Sequence, residues 1–196
     1  MIDYGAGNVQ SVQYALERLG HRAEVSHDPA RVARADKVIF PGVGAARASM
    51  EALEARGLAE VIPRLEQPVL GICVGMQVMA RRSEEDDTPC LGIVDAVVRR
   101  LRPTTHEEKV PHVGWNTLRG TADWLGPDES GDFEHAYVYY VHSYAMEVGD
   151  FTTATTEYGR VFSAALRHRN FYGTQFHAEK SGHVGARILK AFLEFS

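Results

Sequence analysis

The tightest constraint in this sequence is the stretch Val69-Leu70-Gly71-Ile72-Cys73-Val74-Gly75, an apolar run that ends in a cysteine with a glycine two residues to either side. A short apolar run bounded by turn residues reads as a strand buried on both faces, and the pattern from Gly75 to about Arg82 reads as a helix. At such a junction the glycines mark a sharp strand-to-helix bend, which strains the central residue and leaves its neighbours no room for side chains. The bend also sets the sulfur at a helix N-terminus, where unpaired N–H groups and the helix dipole favour thiolate. Most free cysteines are core residues, but the paired glycines turn the reading of Cys73 towards a nucleophile.

The neighbouring segments extend the same strand and helix alternation, which predicts an α/β fold: helices on both faces of a mainly parallel mixed sheet, three layers in all. Asn8 caps a helix with Val9, Val12, Leu16 and Leu19 on one face, ended by Gly20. Ala23 to Ser26 is strand-like, and Asp28-Pro29 opens a short helix to about Ala35. Val38-Ile39-Phe40 is a buried strand ending in Pro41-Gly42-Val43-Gly44, before a helix carrying Ala46, Met50 and Leu53 that stops near Gly57. The run Glu84-Glu85-Asp86-Asp87 is expected in a solvated loop rather than a metal site, because adjacent carboxylates repel. From Ile93 onward the pattern is β-rich, in segments Val94–Leu101, Val110–Leu118, Ala136–Met146, Thr152–Thr156, Val161–Leu166 and Phe171–Phe176, many of them antiparallel for want of helices between them. A closing helix carries Val184, Ile188, Leu189, Phe192 and Leu193. With 196 residues and 44% hydrophobic content, the chain is expected to form a single domain, residues 1–196.

A net charge of −5, with basic residues scattered among acids, leaves no electrostatic footprint for nucleic acid. No apolar run is long enough to span a membrane, and the two cysteines, Cys73 and Cys90, lie in unlike surroundings that suggest no disulfide framework. A cytoplasmic protein is expected, with neither membrane nor nucleic-acid partners and with no metal or cofactor.

A thiol nucleophile needs a base and a group that orients the base. Phe176-His177-Ala178-Glu179-Lys180 offers both: in an extended segment residues two apart project to one side, so Glu179 can hold His177 in the tautomer that accepts the thiol proton. Acyl transfer also needs donors aimed at a developing oxyanion, and the loop Pro41-Gly42-Val43-Gly44 follows a buried strand as such a loop should. The Val43 and Val74 N–H groups are the candidate donors.

These pieces, in this order, resemble the triad-type glutamine amidotransferases. Within that superfamily Asp3-Tyr4-Gly5-Ala6-Gly7-Asn8, Val110-Pro111-His112-Val113-Gly114-Trp115-Asn116, Tyr139-Tyr140-Val141-His142-Ser143-Tyr144 and Gln175-Phe176-His177-Ala178-Glu179-Lys180-Ser181 are similar to the glutaminase subunits of imidazole glycerol phosphate synthases, from histidine biosynthesis. The resemblance implies that Cys73 attacks the glutamine amide, His177 protonates departing ammonia and water hydrolyses the thioester. It further implies that Gln77, Gly44 and the backbone of Ser143 and Tyr144 hold the amino-acid end of glutamine. It implies a heterodimer with a (β/α)₈ barrel subunit that consumes the ammonia, with Trp115, Asn116, Tyr139 and Lys180 at the contact. Only Met1 and Ile2 precede Asp3, so the first strand is very short or begins upstream; Ala178 stands where the family usually has proline, and Cys90 where it often has glycine. Two alternatives remain at this stage: a glutaminase for another ammonia-using synthase, and a non-catalytic binding module on the same fold.

Overall fold

The computed structural model describes residues 1–106, 108–120, 123–125 and 135–194. Ile2 makes one parallel bridge to Ser26 and donates to the Ile39 carbonyl at 2.9 Å, which is all the strand formed by the first residues and by Ala23–Ser26. Helix α1 (Val9–Arg18) is capped by the Asn8 side chain, which accepts from the Ser11 N–H, and the chain leaves it through Gly20 at φ +81°. Helix α2 (Pro29–Ala33) is capped by Asp28, with Pro29 in the first turn, where its missing donor costs nothing.

Strands β1 (Val38–Gly42) and β2 (Val69–Cys73) are buried at every position and pair in parallel, with α3 (Ala46–Glu54) and α4 (Leu58–Val61) between them in the chain. After β2 comes a single helical turn, α5 (Val74–Gln77), and the helix expected to run to Arg82 stops there. The carbonyls of Val78, Met79 and Ala80 accept instead from the N–H groups of Leu91, Val94 and Gly92. That pairing draws Ala80–Ser83 out as strand β3, antiparallel to β4 (Thr88–Pro89) and parallel to β5 (Val94–Arg100). The acidic run is also more engaged than expected. Asp86 and Asp87 are exposed, but Glu84 binds Arg99 at 2.9 Å, and Glu85 accepts the Ala46 N–H at 2.7 Å. Glu85 thereby caps α3, a job the Ala45 side chain cannot do.

Strands β6 (His112–Thr117) and β7 (Tyr137–His142) form a separate antiparallel pair, while β8 (Tyr144–Met146) adds to β5. Strands β9 (Thr152–Tyr158), β10 (Arg160–His168) and β11 (Phe171–Thr174) complete the main sheet in the order β1-β2-β11-β10-β9. β11 lies parallel to β2 although it is joined to β10 antiparallel, so the end of β11 comes beside the end of β2. Helix α6 (Gly182–Glu194) buries Val184, Ile188, Leu189 and Phe192. The result is an α/β fold on a mixed sheet, and among the described residues no helix is long and apolar enough to cross a membrane.

Candidate active site

Cys73 ends β2 at φ +54° and ψ −112°, a region that side-chain-bearing residues rarely adopt. The strain is held by backbone packed on backbone. A Cβ on Gly75 would fall 1.9 Å from the Phe40 carbonyl oxygen, and one on Gly71 would fall 2.8 Å from the Gly75 backbone. A Cβ on Gly42 would meet the Gly75 nitrogen at 2.4 Å, so β1, β2 and α5 close on each other only because all three positions are glycine.

His177 follows β11, and the parallel pairing of β11 with β2 carries it to the elbow. Its backbone N–H donates to the Tyr139 carbonyl at 2.9 Å, and its carbonyl accepts from Ser181 Oγ at 2.7 Å, which fastens the segment to β7. Nδ1 lies 2.8 Å from Glu179 Oε1, with both side chains buried. The pairing was expected from extended-chain spacing, but Ala178–Lys180 is a 3₁₀ turn, and it is the turn that folds Glu179 back onto the ring. Gly185 of α6 permits this, since a Cβ there would come within 1.8 Å of the Ala178 carbonyl oxygen. Burial opposes a charged His177, yet hydrogen bonds and charge from Cys73 and Glu179 outweigh it and raise the imidazole above its ordinary pKa. Glu179 Oε2 is buried without a hydrogen-bond partner, so the imidazole is the group that compensates this carboxylate.

Cys73 and His177 open on one cavity of about 320 Å³, which Val43, Gly44, Val74, Gln77, Glu85, His142, Ser143, Tyr144 and Lys180 also line. All four residues expected at the substrate, Gly44, Gln77, Ser143 and Tyr144, are therefore together. Gln77 is buried, with Nε2 donating to the Tyr144 carbonyl at 2.8 Å and to Gln175 Oε1 at 3.0 Å, which leaves its own Oε1 for a ligand. The two oxyanion candidates differ: Val74, first in α5, has no intrahelical acceptor, whereas the Val43 N–H donates to the Ala6 carbonyl at 3.3 Å.

Alternation along the β6–β7 pair sorts the four expected partner contacts. Val113, Trp115, Tyr137 and Val141 are exposed on one face, where Trp115 and Tyr139 meet edge to face at 5.7 Å, and Lys180 is exposed at the mouth of the cavity. Asn116 turns the other way: its Nδ2 donates to the Glu157 carbonyl at 3.1 Å and its Oδ1 accepts from Thr117. Sequence reading passed over Gln175, whose Nε2 donates to Cys73 Sγ at 3.8 Å, and Glu85, the carboxylate at the cavity besides the triad. Gln175 was discoverable, because it stands two residues before His177 on the same extended segment. Glu85 carried no local signal, since only the tertiary contact with α3 singles it out of four acids.

Residues 1–195 match the family profile described as glutamine amidotransferase class-I. A relative named imidazole glycerol phosphate synthase subunit HisH, from Bacteroides fragilis, is 54% identical over 194 residues, 99% of this chain and 97% of its own. One of the same name from Vibrio cholerae is 46% identical over 200 residues, with coverage of 99% and 97%. Among solved structures, a glutamine amidotransferase superposes with a TM-score of 0.73 at 17% identity, covering 98% of this chain and 96% of that one. A putative GMP synthase subunit from Thermoplasma acidophilum does so with a TM-score of 0.72 at 20% identity, covering 98% and 89%. At these identities the solved structures speak for the fold alone.

Proposed function

From the premise that this chain belongs to the class-I glutamine amidotransferases, and within them to the HisH glutaminase subunits of imidazole glycerol phosphate synthase, we propose that Cys73, His177 and Glu179 carry the reaction in the cavity described above. Cys73 Sγ adds to the side-chain amide carbon of glutamine; the C–N bond breaks as His177 gives its proton to the departing ammonia. Water, deprotonated by the same imidazole, then attacks the γ-glutamyl thioester, and the C–S bond breaks to release glutamate. Glu179 holds the ring through Nδ1 and stabilises its charged form. The observation that supports this most directly is the meeting of an elbow cysteine, strained at φ +54°, with a carboxylate-held imidazole at one cavity.

Glu85 would receive the α-ammonium of glutamine, with Gln77 Oε1, Gly44 and the Ser143–Tyr144 backbone completing the amino-acid end. The oxyanion would take the Val74 and Val43 N–H groups, but the Val43 donor is committed to Ala6. Until the Gly42–Val43 peptide turns over, the site is short of a donor. The partner subunit implied by the relatives' name is, in this reading, a (β/α)₈ barrel. It docks as a heterodimer on the Val113–Trp115–Tyr139 face, favours the turned peptide and receives ammonia past Lys180. The whole chain acts as one glutaminase domain. Glutamate release by the chain alone, then with the barrel subunit and its nucleotide ligand, tests this. Slow turnover alone and strong acceleration in the complex are expected, and full activity of the isolated chain rejects the oxyanion reading.

A further inference from the structure

Two histidines that the triad does not use are buried on the inner face of the β6–β7 pair, His142 in the wall of the cavity and His112 behind it. His112 is sandwiched between Tyr140 and Tyr158, with ring centroids 4.9 Å and 3.9 Å away, and His142 packs edge-on against Phe162 at 5.1 Å. Their nitrogens form a chain. His142 Nδ1 is 2.8 Å from the Tyr144 carbonyl, His142 Nε2 is 3.0 Å from His112 Nδ1, and His112 Nε2 is 3.5 Å from Asn116 Nδ2.

The direction of every bond is fixed by elimination. A carbonyl oxygen only accepts, so His142 Nδ1 carries a proton; as a neutral ring its Nε2 is then an acceptor. His112 Nδ1 must therefore donate, which leaves His112 Nε2 to face the Asn116 amide N–H. Burial keeps both rings uncharged, as this requires. From the Tyr144 carbonyl the chain continues, since that oxygen also accepts from Gln77 Nε2, Gln77 donates to Gln175 Oε1, and Gln175 Nε2 donates to Cys73 Sγ. An unbroken series of donors and acceptors thus joins Asn116, on the hairpin whose outer face is the proposed docking surface, to the elbow sulfur.

We propose that His142 is a positioning residue for the substrate cavity: it sets the Tyr144 carbonyl, and through it the Ser143–Tyr144 edge and Gln77, while His112 and Asn116 fix its tautomer from the docking hairpin. The inference rests on the reading of this cavity as the glutamine site. With both lone pairs of the Tyr144 carbonyl taken, by His142 and Gln77, neither the peptide nor the amide can rotate without breaking a buried bond. Losing the His142 donor frees that edge without touching the triad.

Two measurements test it. Long-range ¹⁵N–¹H spectra of the wild-type chain at pH 7 should show both rings protonated at Nδ1, against the Nε2 form that free imidazoles prefer; an Nε2 proton on either ring overturns the chain. For the kinetics, His142→Asn retains a donor at the Nδ1 position and His142→Gln places its amide at Nε2 instead. Assayed with the partner subunit, His142→Asn should stay within about threefold of wild type, while His142→Gln should raise the KM for glutamine roughly tenfold, the equivalent of one hydrogen bond, with kcat within about threefold. Equal behaviour of the two variants, or a fall in kcat at unchanged KM, overturns the positioning role. Failure of the parent reading is distinct, because wild type would then hydrolyse no glutamine.

Discussion

Lowering the pH from 7.5 to 5.0 should destabilise this chain by about 4 kcal/mol through His112 and His142 alone. Both are buried, and burial pushes His112 down to about 4 and His142 down to about 3. The sign follows from proton counting. Below their unfolded pKa the unfolded chain binds protons that the folded chain refuses, so stability rises with pH across the window and is lost on acidification. At pH 5.0 an unfolded histidine of pKa about 6.5 is protonated by a factor of about 30, whereas neither folded ring takes up a proton to any great extent, which gives about 2 kcal/mol each. The groups facing the pair do not reverse this. Burial outweighs the Glu108 charge, which raises His112, and the Tyr144 carbonyl, which raises His142, while the neighbouring His112 and His177 add to the lowering of His142.

One titration opposes this inside the window: His177, shifted upward, keeps its proton in the folded chain while the unfolded imidazole loses it between pH 5.0 and 7.5, which favours folding at the acid end by about 1.4 kcal/mol, and the carboxylates held low, Glu84 and Glu108, titrate mainly beneath the window. Urea unfolding at the two pH values and constant ionic strength measures the net loss, about 2.6 kcal/mol, which for a chain of this size corresponds to roughly 5–10 °C in Tm. The double variant His112→Asn, His142→Asn should lose the acid destabilisation, whatever its stability at pH 7.5. A wild-type stability that is flat between the two pH values, or an equal slope in the double variant, refutes the reasoning.

Cys73→Ala should abolish glutamate release in the complex by ~10⁴-fold or more, leaving thermal unfolding nearly unchanged; retained turnover would remove the assigned nucleophile. Gly75→Ala drives a Cβ to 1.9 Å from the Phe40 carbonyl oxygen and should cost at least about 1–3 kcal/mol along with activity. Gly92→Ala, where no atom lies within 4 Å of the added Cβ, should keep activity and show only the strain of its φ of +66°; calorimetry and turnover of the two variants separate them. Trp115→Ala should weaken the partner complex by about 2 kcal/mol, roughly 30-fold in Kd by titration calorimetry, and an unchanged Kd would place the docking face elsewhere.

How much of this was legible in the sequence depended on whether the signal was local. The elbow could be read because one bend dictates glycines at Gly71 and Gly75, and α1 and α2 because Asn8 and Asp28 announce their caps. The α5 helix was read too long because its end is set from a distance: Leu91, Gly92 and Val94 take the carbonyls that another turn would need. Glu85 was lost among four acids for the same reason, and Asn116 was assigned to the partner face although strand alternation, set by Trp115, turns it inward. What a sequence hides here is the partner of a group, seldom the chemistry of the group itself.

The Val43 contact also bounds how much activation one bond can explain. Turning the Gly42–Val43 peptide forfeits the 3.3 Å hydrogen bond to Ala6, a net loss of about 1 kcal/mol, so that bond alone disfavours the competent loop by less than tenfold. Acceleration by the partner cannot exceed the reciprocal of the resting competent population. A thousandfold effect would need about 4 kcal/mol of bias. The remainder has to lie in packing around the loop, where a Cβ on Gly7 would sit 3.0 Å from the Pro41 carbonyl oxygen and one on Gly42 would sit 2.9 Å from the Tyr4 hydroxyl.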